Sequence, residues 1–374
     1  MAFTLLYYAY AVFGLYVVFL SLYNIRTMKR RTVYTPEESD VKVSVLIPAR
    51  NEEHTIAACL DSLLNQTYSN YEILVIDDHS TDRTWEVVSE YAHKHKKITA
   101  YTSKTLPIDW NGKTHALHQL EQYAQGDLYL FTDADTEHSP ESLAFGVTNL
   151  KKNSLDMFSG FPMQKTPGIL IQLIISIMHF STTFLFPISL HYHTRNPIFS
   201  LAIGQYIFIT RKAYRDSGGH EQIKAAVTDD VHLAREIVKH GYTQGFLDIR
   251  HVVSCTMYSN PRDAFQGITR SIIAFFDKNI AVLLLSVTLF ALFVLYPSLL
   301  FFWLLIQQTL NIPIVIGYLS IAFAWGAVST YYRYSPVTAV SAPAALLLPA
   351  VMILHGVTCL ITKRELLWKD RPVL

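Results

Sequence analysis

The sequence predicts an α/β domain built on a parallel sheet and set between membrane-spanning helices. The first observation behind this is alternation. "VKVSVLIPA" and "YEILVIDD" are β-rich runs, each followed by a helical stretch, at 52–64 and 84–95. This β-helix-β order builds parallel sheets that bind ligands at the carboxyl ends of their strands. The second is the apolar content, 51% of 374 residues, which is high for an ordinary soluble protein and unevenly distributed.

The first 22 residues carry no charge, and Arg26, Lys29, Arg30 and Arg31 follow at once. A 1–23 helix is long enough to cross a bilayer, and basic residues on its carboxyl side put the following domain in the cytoplasm. A secretory signal would carry its basic residues first and a small-residue cleavage site after the apolar stretch; the sequence has neither. Further spans are expected at 280–306, 313–329 and 336–361, so that 280–361 supplies about three C-terminal segments. One span before the domain and three after it would leave Lys363, Arg364, Lys369 and Arg371 outside, against the same rule. A re-entrant hairpin at Pro343 and Pro349 is the alternative. Between these parts, 41–262 reads as the cytoplasmic catalytic domain of a multi-pass protein of the cell membrane. Within it, 169–190 is apolar and uncharged, and fits an interfacial helix in the headgroup layer, with a buried helix as the alternative.

A formal net charge of +1 gives no basic footprint for nucleic acid. Cys59, Cys255 and Cys359 lie far apart, form no CxxC pair, and read as buried thiols in a reducing compartment. No phosphate-binding G-x-x-x-x-G-K-[ST] loop and no G-x-G-x-x-G turn is present.

Three acidic pairs stand near the ends of strand-like or polar turns: Asp77-Asp78, Asp133-Ala134-Asp135 and Asp229-Asp230. Strand alternation would aim Asp133 and Asp135 into one crevice. Two such carboxylates repel unless a cation lies between them, and Mg2+ or Mn2+ shared with a substrate diphosphate meets that need. "PARNEE" places Pro48 at the end of the first strand and Asn51 or Glu52 at a helix start. "VIDDHSTD" leaves Ser80 or Thr81 as caps and frees Asp77 and Asp78 for a nucleobase or ribose. Lys113, in "WNGK", is a loop lysine able to neutralise a phosphate. Gly218 and Gly219 permit a tight turn before His220.

In order, "VSVLIPARNEE", "ILVIDDHSTD", "WNGK", "LFTDAD", "GGH" and "VTDDVHLAREIVKHGY" resemble the family 2 glycosyltransferases, across most of 41–242. The membrane layout and the closing "LLWKDR" are similar to the diaponeurosporenoate, hopanoid and ceramide glycosyltransferases. The resemblance implies a GT-A fold, a Rossmann-like mixed sheet. It implies that Pro48, Ala49, Glu52, Asp78 and Lys113 hold the uracil, ribose and diphosphate of a UDP-sugar. By the same resemblance Asp133 would lie near the ribose, Asp135 would ligate the metal, Asp230 would be the general base, and Asp229 would orient the site or contact the acceptor. Gly219 and His220 fall on the acceptor side. Processive members carry Gln-x-x-Arg-Trp; here "FQGITRSIIAFF" has Gln266 and Arg270 one residue further apart and no Trp. That favours transfer of one sugar and leaves Arg270 either near the departing diphosphate or at the membrane surface; glucose is the sugar expected, without a residue that reads it.

The expected reaction is an inverting displacement, one base and a divalent metal sufficing, with a membrane lipid as acceptor. His179, His191, Tyr192 and His193 stand at the margins of the 169–190 stretch where a lipid would enter, and read as interfacial residues without chemistry. Carotenoid acids and hopanoids are the first acceptors considered; polyprenyl phosphate, diacylglycerol and ceramide are the alternatives. A transporter would carry ionisable residues inside its spans, and 280–306 and 313–329 have none. An inactive binding protein of the same fold would have lost one of the acidic pairs. Sugar, metal and oligomeric state have no reader in the sequence.

Overall fold

The computed structural model describes residues 2–363, 367–368 and 371–372; Arg364 and Lys369, on which the orientation of the tail turns, lie outside the described residues. In chain order α1 (Ala2–Arg31) precedes β1 (Val43–Ala49), α2 (Ile56–Leu64), β2 (Tyr71–Asp77), α3 (Thr84–Lys94) and β3 (Ile98–Thr102). Next come α4 (Gly112–Tyr123), β4 (Leu128–Phe131), β5 (Thr136–His138), α5 (Ser142–Lys152), β6 (Met157–Ser159), β7 (Met163–Gln164) and α6 (Ile169–Leu185). Then follow β8 (Ile207–Thr210), α7 (Arg211–Asp216), α8 (Gly219–Gln222), α9 (Asp229–Lys239), β9 (Gln244–Phe246) and β10 (Val253–Cys255). The chain continues through α10 (Pro261–Phe275), α11 (Ile280–Phe290), α12 (Tyr296–Ile306), α13 (Ile312–Tyr331), α14 (Pro336–Val340), α15 (Ala342–Ala345) and α16 (Leu348–Thr362). These elements form two compact units, one of Met28–Lys165 with Ile188–Met257, the other of the remaining segments.

The first unit is built on a seven-stranded sheet in the order β3-β2-β1-β4-β8-β6-β9. The strands β3, β2, β1 and β4 are mutually parallel. The order then reverses: β8 is antiparallel to both β4 and β6. A wholly parallel sheet is therefore corrected to a mixed one, as the GT-A resemblance implied. The strand-helix alternation that predicts parallel pairing stops after β4, where β5 follows without a crossover helix. A small second sheet, β5-β10-β7, lies at that point.

Both faces of the large sheet are covered, which explains its continuous apolar runs. Val43, Val45 and Ile47 of β1 and Leu128 and Leu130 of β4 enter one core with α2 and α5. Leu46, Tyr129 and Phe131 enter the other, with Leu117 and Leu120 of α4 and Leu233 and Ile237 of α9.

Two local expectations are corrected. The helix after β1 starts at Ile56, not at Asn51 or Glu52. Asn51 holds a left-handed φ of 51°, and Glu52 takes part in a turn whose carbonyl accepts from the Thr55 and Ile56 amides. Neither Ser80 nor Thr81 caps α3: its N-cap position is Arg83, without a side-chain cap bond, and Asp82 before it accepts from the Thr84 amide at 3.0 Å and hydroxyl at 2.6 Å.

Thr4–Arg31, which belongs to the second unit as far as Thr27, and Ile280–Ile306 and Ile312–Tyr331 of that unit are long and apolar enough to cross a membrane. The first helix runs on from the predicted 1–23 through its basic residues to Arg31. The 336–361 stretch is not one spanning helix. Prolines in the first turns of α14 and α16 open new helices there. At 1.5 Å per residue, the 15 residues of α16 reach about 22 Å against a hydrocarbon core of about 30 Å. Within the 169–190 stretch, α6 ends at Leu185 and buries Ile171, Ile175, His179 and Phe180 while packing on α10 and α13. His179 stacks on Tyr332 at 3.9 Å and bonds the Tyr334 hydroxyl through Nδ1 at 2.8 Å.

Gly146 on α5 is demanded by packing. A Cβ there would lie 2.2 Å from the ring of Phe208, which is fully buried on β8. Gly146→Ala is expected to cost about 1–3 kcal/mol of stability through overpacking, read as a lowered midpoint of thermal unfolding; an unchanged midpoint contradicts this packing.

Candidate active site

Lys113, Asp133, Asp229 and Asp230 come from three places far apart in the chain and meet beside Gly204. Lys113 occupies the first turn of α4, a helix rather than the expected loop. Its amide donates to the N-cap Asn111 Oδ1 at 3.0 Å. Its ammonium lies 2.7 Å from Asp133 Oδ1 and 3.7 Å from Asp229 Oδ2. Asp229 and Asp230 open α9, where exposed helix amides favour carboxylates. Asp230 Oδ2 accepts from the Gly204 amide at 2.9 Å, and Oδ1 from the Val231 amide at 2.8 Å. A Cβ on Gly204 would stand 3.0 Å from Lys113 Nζ, 3.7 Å from Asp230 Oδ2 and 3.8 Å from Asp133 Oδ2. Gly204 thus lets the backbone approach all three groups.

Burial and charge act together on this cluster. Burial alone would lower the Lys113 pKa, but Asp133, Asp229 and Asp230 reverse this and hold it above the ordinary lysine value. Asp230 is pushed up to about 7, first by burial and then by the neighbouring Asp229 charge, with Lys113 opposing. Burial also raises Asp229. One ammonium faces three carboxylates, so the cluster stays negative even with one proton retained on the Asp229–Asp230 pair. A diphosphate entering here needs a further cation.

Pro48, Thr132, Gly204 and His220 share the wall of one pocket with Lys113, Asp133 and Asp229. Pro48 does not end the ladder as expected: β1 pairs with β2 through Ala49 opposite Asp77, while on the other side pairing stops at Leu46 and Phe131. Asp78 is buried at the β1–β2 junction, its amide donating to the Ala49 carbonyl at 2.8 Å. Glu52 accepts from the Thr55 hydroxyl at 2.7 Å. His220 is enclosed rather than presented on a turn. Its Nδ1 is 2.8 Å from the Tyr214 hydroxyl, its ring faces Phe131, and burial lowers its pKa to about 3, keeping it neutral. Gly219, with φ of 52°, lies where a Cβ would strike the Tyr214 ring at 2.5 Å, so its role is packing. Arg270 belongs to the other unit, on α10, with Tyr258 as a charged-state neighbour.

Asp133 and Asp135 do not share a strand face, because β4 ends at Phe131 and both stand in the turn before β5. Asp133 pairs with Lys113, whereas Asp135 adjoins the buried Cys255 thiol. Among the described residues no three His, Cys, Asp or Glu side chains gather into a ready-made ion site. Mg2+ and Mn2+ need none, since they bind through one or two carboxylates and complete their shells with phosphate oxygens and water. Asp135 as an oxygen donor and the residual negative charge of the cluster fit such an ion.

The strand order alone does not reveal what fixes that turn. Thr132 and Thr136 flank it, their hydroxyls 2.9 Å apart, and His138 Nε2 lies 3.1 Å from each. The Thr132 hydroxyl reaches the Gln205 carbonyl at 2.9 Å, next to Gly204, and His138 Nδ1 is 3.0 Å from the Ser142 hydroxyl. Cys59 and Cys255 are buried beside the same turn. The i, i+4, i+6 spacing of Thr132, Thr136 and His138 around two aspartates was the available signal, and a glycine just before the apolar run of β8 was the signal for Gly204.

Residues 44–218 match the family described as Glycosyl transferase family 2. A stretch of 122 residues, 32% of this chain, is 34% identical to a UDP-Glc:alpha-D-GlcNAc-diphosphoundecaprenol beta-1,3-glucosyltransferase of Escherichia coli, covering 46% of that protein. A stretch of 120 residues, again 32% of this chain, is 34% identical to a 4,4'-diaponeurosporenoate glycosyltransferase of Staphylococcus haemolyticus, covering 31% of it. The chain therefore spans less than half the length of these relatives. In three dimensions it is similar to a mannosyltransferase of Pyrobaculum calidifontis solved with GDP-Man and Mn2+, at a TM-score of 0.56 and 19% identity, over 96% of this chain and 100% of that one. At that identity the likeness shows the fold.

Burial holds His138 neutral, with a pKa lowered to about 3. Between the ordinary histidine value of about 6.5 and that lowered value, the unfolded chain binds a proton that the folded one does not. Stability from this group is present above about pH 6.5 and is lost as pH falls toward 3. His138→Gln, which keeps a donor and an acceptor but cannot charge, is expected to flatten the acid-side slope of the unfolding midpoint; equal slopes for both proteins contradict this.

Proposed function

Because residues 44–218 are a glycosyl transferase family 2 domain, we propose that the protein is an inverting glycosyltransferase moving one sugar, glucose, from a UDP-sugar to a membrane lipid. The observation that carries this reading is the meeting of Lys113, Asp133, Asp229 and Asp230 beside Gly204 at the carboxyl end of β4. That is where an α/β sheet holds its ligands. Relatives named for diphosphoundecaprenol-linked, diacylglycerol and diaponeurosporenoate substrates support a lipid or lipid-linked acceptor. The three long apolar helices support attachment to a membrane, and the basic residues closing α1 support a catalytic unit on its cytoplasmic side.

In this reading Pro48, Ala49, Glu52 and Asp78 surround the uracil and ribose, and Asp133 adjoins the ribose while fixing Lys113. The acceptor hydroxyl gives its proton to Asp230 as its oxygen attacks the anomeric carbon and the bond to the diphosphate breaks. A base whose pKa stands near 7 suits proton transfer at neutral pH. Asp229 sustains that raised value by its charge. The Lys113 ammonium offsets the charge growing on the departing UDP. A divalent cation held by Asp135 and the diphosphate would add Lewis-acid stabilisation of the leaving group; the Mn2+ reported with the Pyrobaculum mannosyltransferase supports this.

Membranes carrying the enzyme, radiolabelled UDP-glucose and candidate lipids, with products resolved by mass, test the reading. Asp230→Asn is expected to lower the transfer rate by about 10²–10⁴-fold. In the wild type the rate should rise with pH through a midpoint near 7, as Asp230 loses its proton. Asp229→Asn should move that midpoint downward by removing the like charge. Undiminished transfer by Asp230→Asn removes the proposed base.

A further inference from the structure

Beside the Asp78 end of β2 stands a histidine with one fixed donor. His115 lies in the first turn of α4 and is buried. Its orientation follows from the groups behind it. The Lys104 amide donates to Gln119 Oε1 at 2.9 Å, which turns the Gln119 amide nitrogen the other way. That nitrogen stands 3.1 Å from His115 Nδ1 and 2.9 Å from the Ser103 hydroxyl. A carboxamide nitrogen donates and does not accept, so Nδ1 is the bare nitrogen and the ring proton sits on Nε2. Burial lowers the His115 pKa against the opposing charge of Asp78, and the ring stays neutral in this tautomer. Nε2 has no hydrogen-bond partner among the described residues. The same network ties the ring to the strand end. The Ser103 amide donates to the Asp77 carbonyl at 2.9 Å, and His79 Nε2 lies 3.4 Å from the Lys104 carbonyl. Arg50 Nη1 donates to the carbonyls of Asp78 and His79 at 2.6 and 3.1 Å, clasping that turn from the β1 side. Trp110 borders His115 edge-on, with the ring centroids 5.3 Å apart. A carboxylate and a neutral ring N–H thus share one strand end.

We propose that His115 reads the nucleobase, its Nε2–H donating to a carbonyl oxygen of the uracil while Asp78 accepts from the adjoining imide N–H. The proposal rests on the reading of the protein as a UDP-sugar enzyme and adds a residue that selects the base. Uracil presents an N–H flanked by two carbonyls, so a neighbouring acceptor and donor match it together. In cytosine the same ring nitrogen is a bare acceptor and would oppose its lone pair to the Asp78 carboxylate. A site of placed hydrogen bonds discriminates in this way because the wrong ligand leaves its buried groups unpaired. Guanine also carries an N–H beside a carbonyl, so the pair separates the two pyrimidines.

The full chain in phosphatidylcholine nanodiscs, with Mg2+ present, is titrated by calorimetry with UDP, 2-thio-UDP and 4-thio-UDP. Sulfur accepts hydrogen bonds more weakly than oxygen, so one of the two analogues should bind the wild type more weakly than UDP. His115→Asn keeps a partner for Gln119 at the Nδ1 position and has no group at Nε2. It should weaken UDP about tenfold, the loss of one hydrogen bond, and should bind that analogue as well as it binds UDP. His115→Gln is long enough to place an amide near the Nε2 position, and should recover part of the affinity and part of the penalty. A merely structural role gives the opposite order, since Asn and not Gln preserves the bond to Gln119. Equal binding of UDP and both analogues by the wild type overturns the proposal, as does a penalty that survives in His115→Asn. Either result leaves UDP binding, and with it the UDP-sugar reading, in place. A wild type that binds no UDP removes that reading and the proposal with it.

Discussion

One ammonium pairs with two carboxylates and feels the charge of a third. Lys113 bonds Asp133 at 2.7 Å and reaches Asp229 at 3.7 Å, and Asp230 lies across Gly204 from both. Like charges this close and this buried cannot all ionise without a counter-charge. The single cation satisfies part of that demand, and the remainder has two outlets. One is a raised affinity of Asp230 for a proton, whose loss near pH 7 frees the carboxylate that serves as the base in the proposed reading. The other is attraction for a further cation, which in the proposed reading arrives with the diphosphate of the substrate.

The fold exists, at this end, to bring those groups within reach. Parallel β1, β2 and β4 deliver Ala49, Asp77 and the turn after Phe131 to one edge of the sheet. The reversal at β8 matters as much, because it carries Gly204 and Gln205 back to the same edge from the opposite direction. There the Gly204 amide meets Asp230 and the Gln205 carbonyl meets Thr132. A neutral His138, bonded to both flanking threonines, closes the turn that presents Asp133 and Asp135. Hydrogen bonds in such a buried network are costly to break singly, since the abandoned partner stays unsatisfied.

Much of this was legible in the residues, and the failures have physical causes. The strands of β1, β2 and β4 and the helix at Thr84 follow from apolar runs and their punctuation. Of the three acidic pairs the structure gathers Asp133, Asp229 and Asp230 beside Lys113, while Asp77 and Asp78 are buried at the end of β2 and Asp135 adjoins Cys255. Periodicity could not reveal that β8 runs backward, since strand direction is a long-range property. Lys113 read as a loop residue because Asn111 caps with a single side chain and Gly112 hides the helix start. Asp133 and Asp135 read as one strand face because alternation was carried two residues beyond the end of β4. In the tail the expected 336–361 span is divided into short helices, the last opened by Pro349 in its first turn.

The account stands or falls on whether Lys113 and Asp133 act as one unit on the nucleotide. A double-mutant cycle with Lys113→Met and Asp133→Asn, read as UDP affinity by titration calorimetry, measures this directly. The account predicts a coupling energy above about 1 kcal/mol, because the 2.7 Å Lys113–Asp133 pair is already lost in either single change and cannot be lost again in the double. Effects that add to within about 0.5 kcal/mol, the behaviour of independent sites, would contradict it.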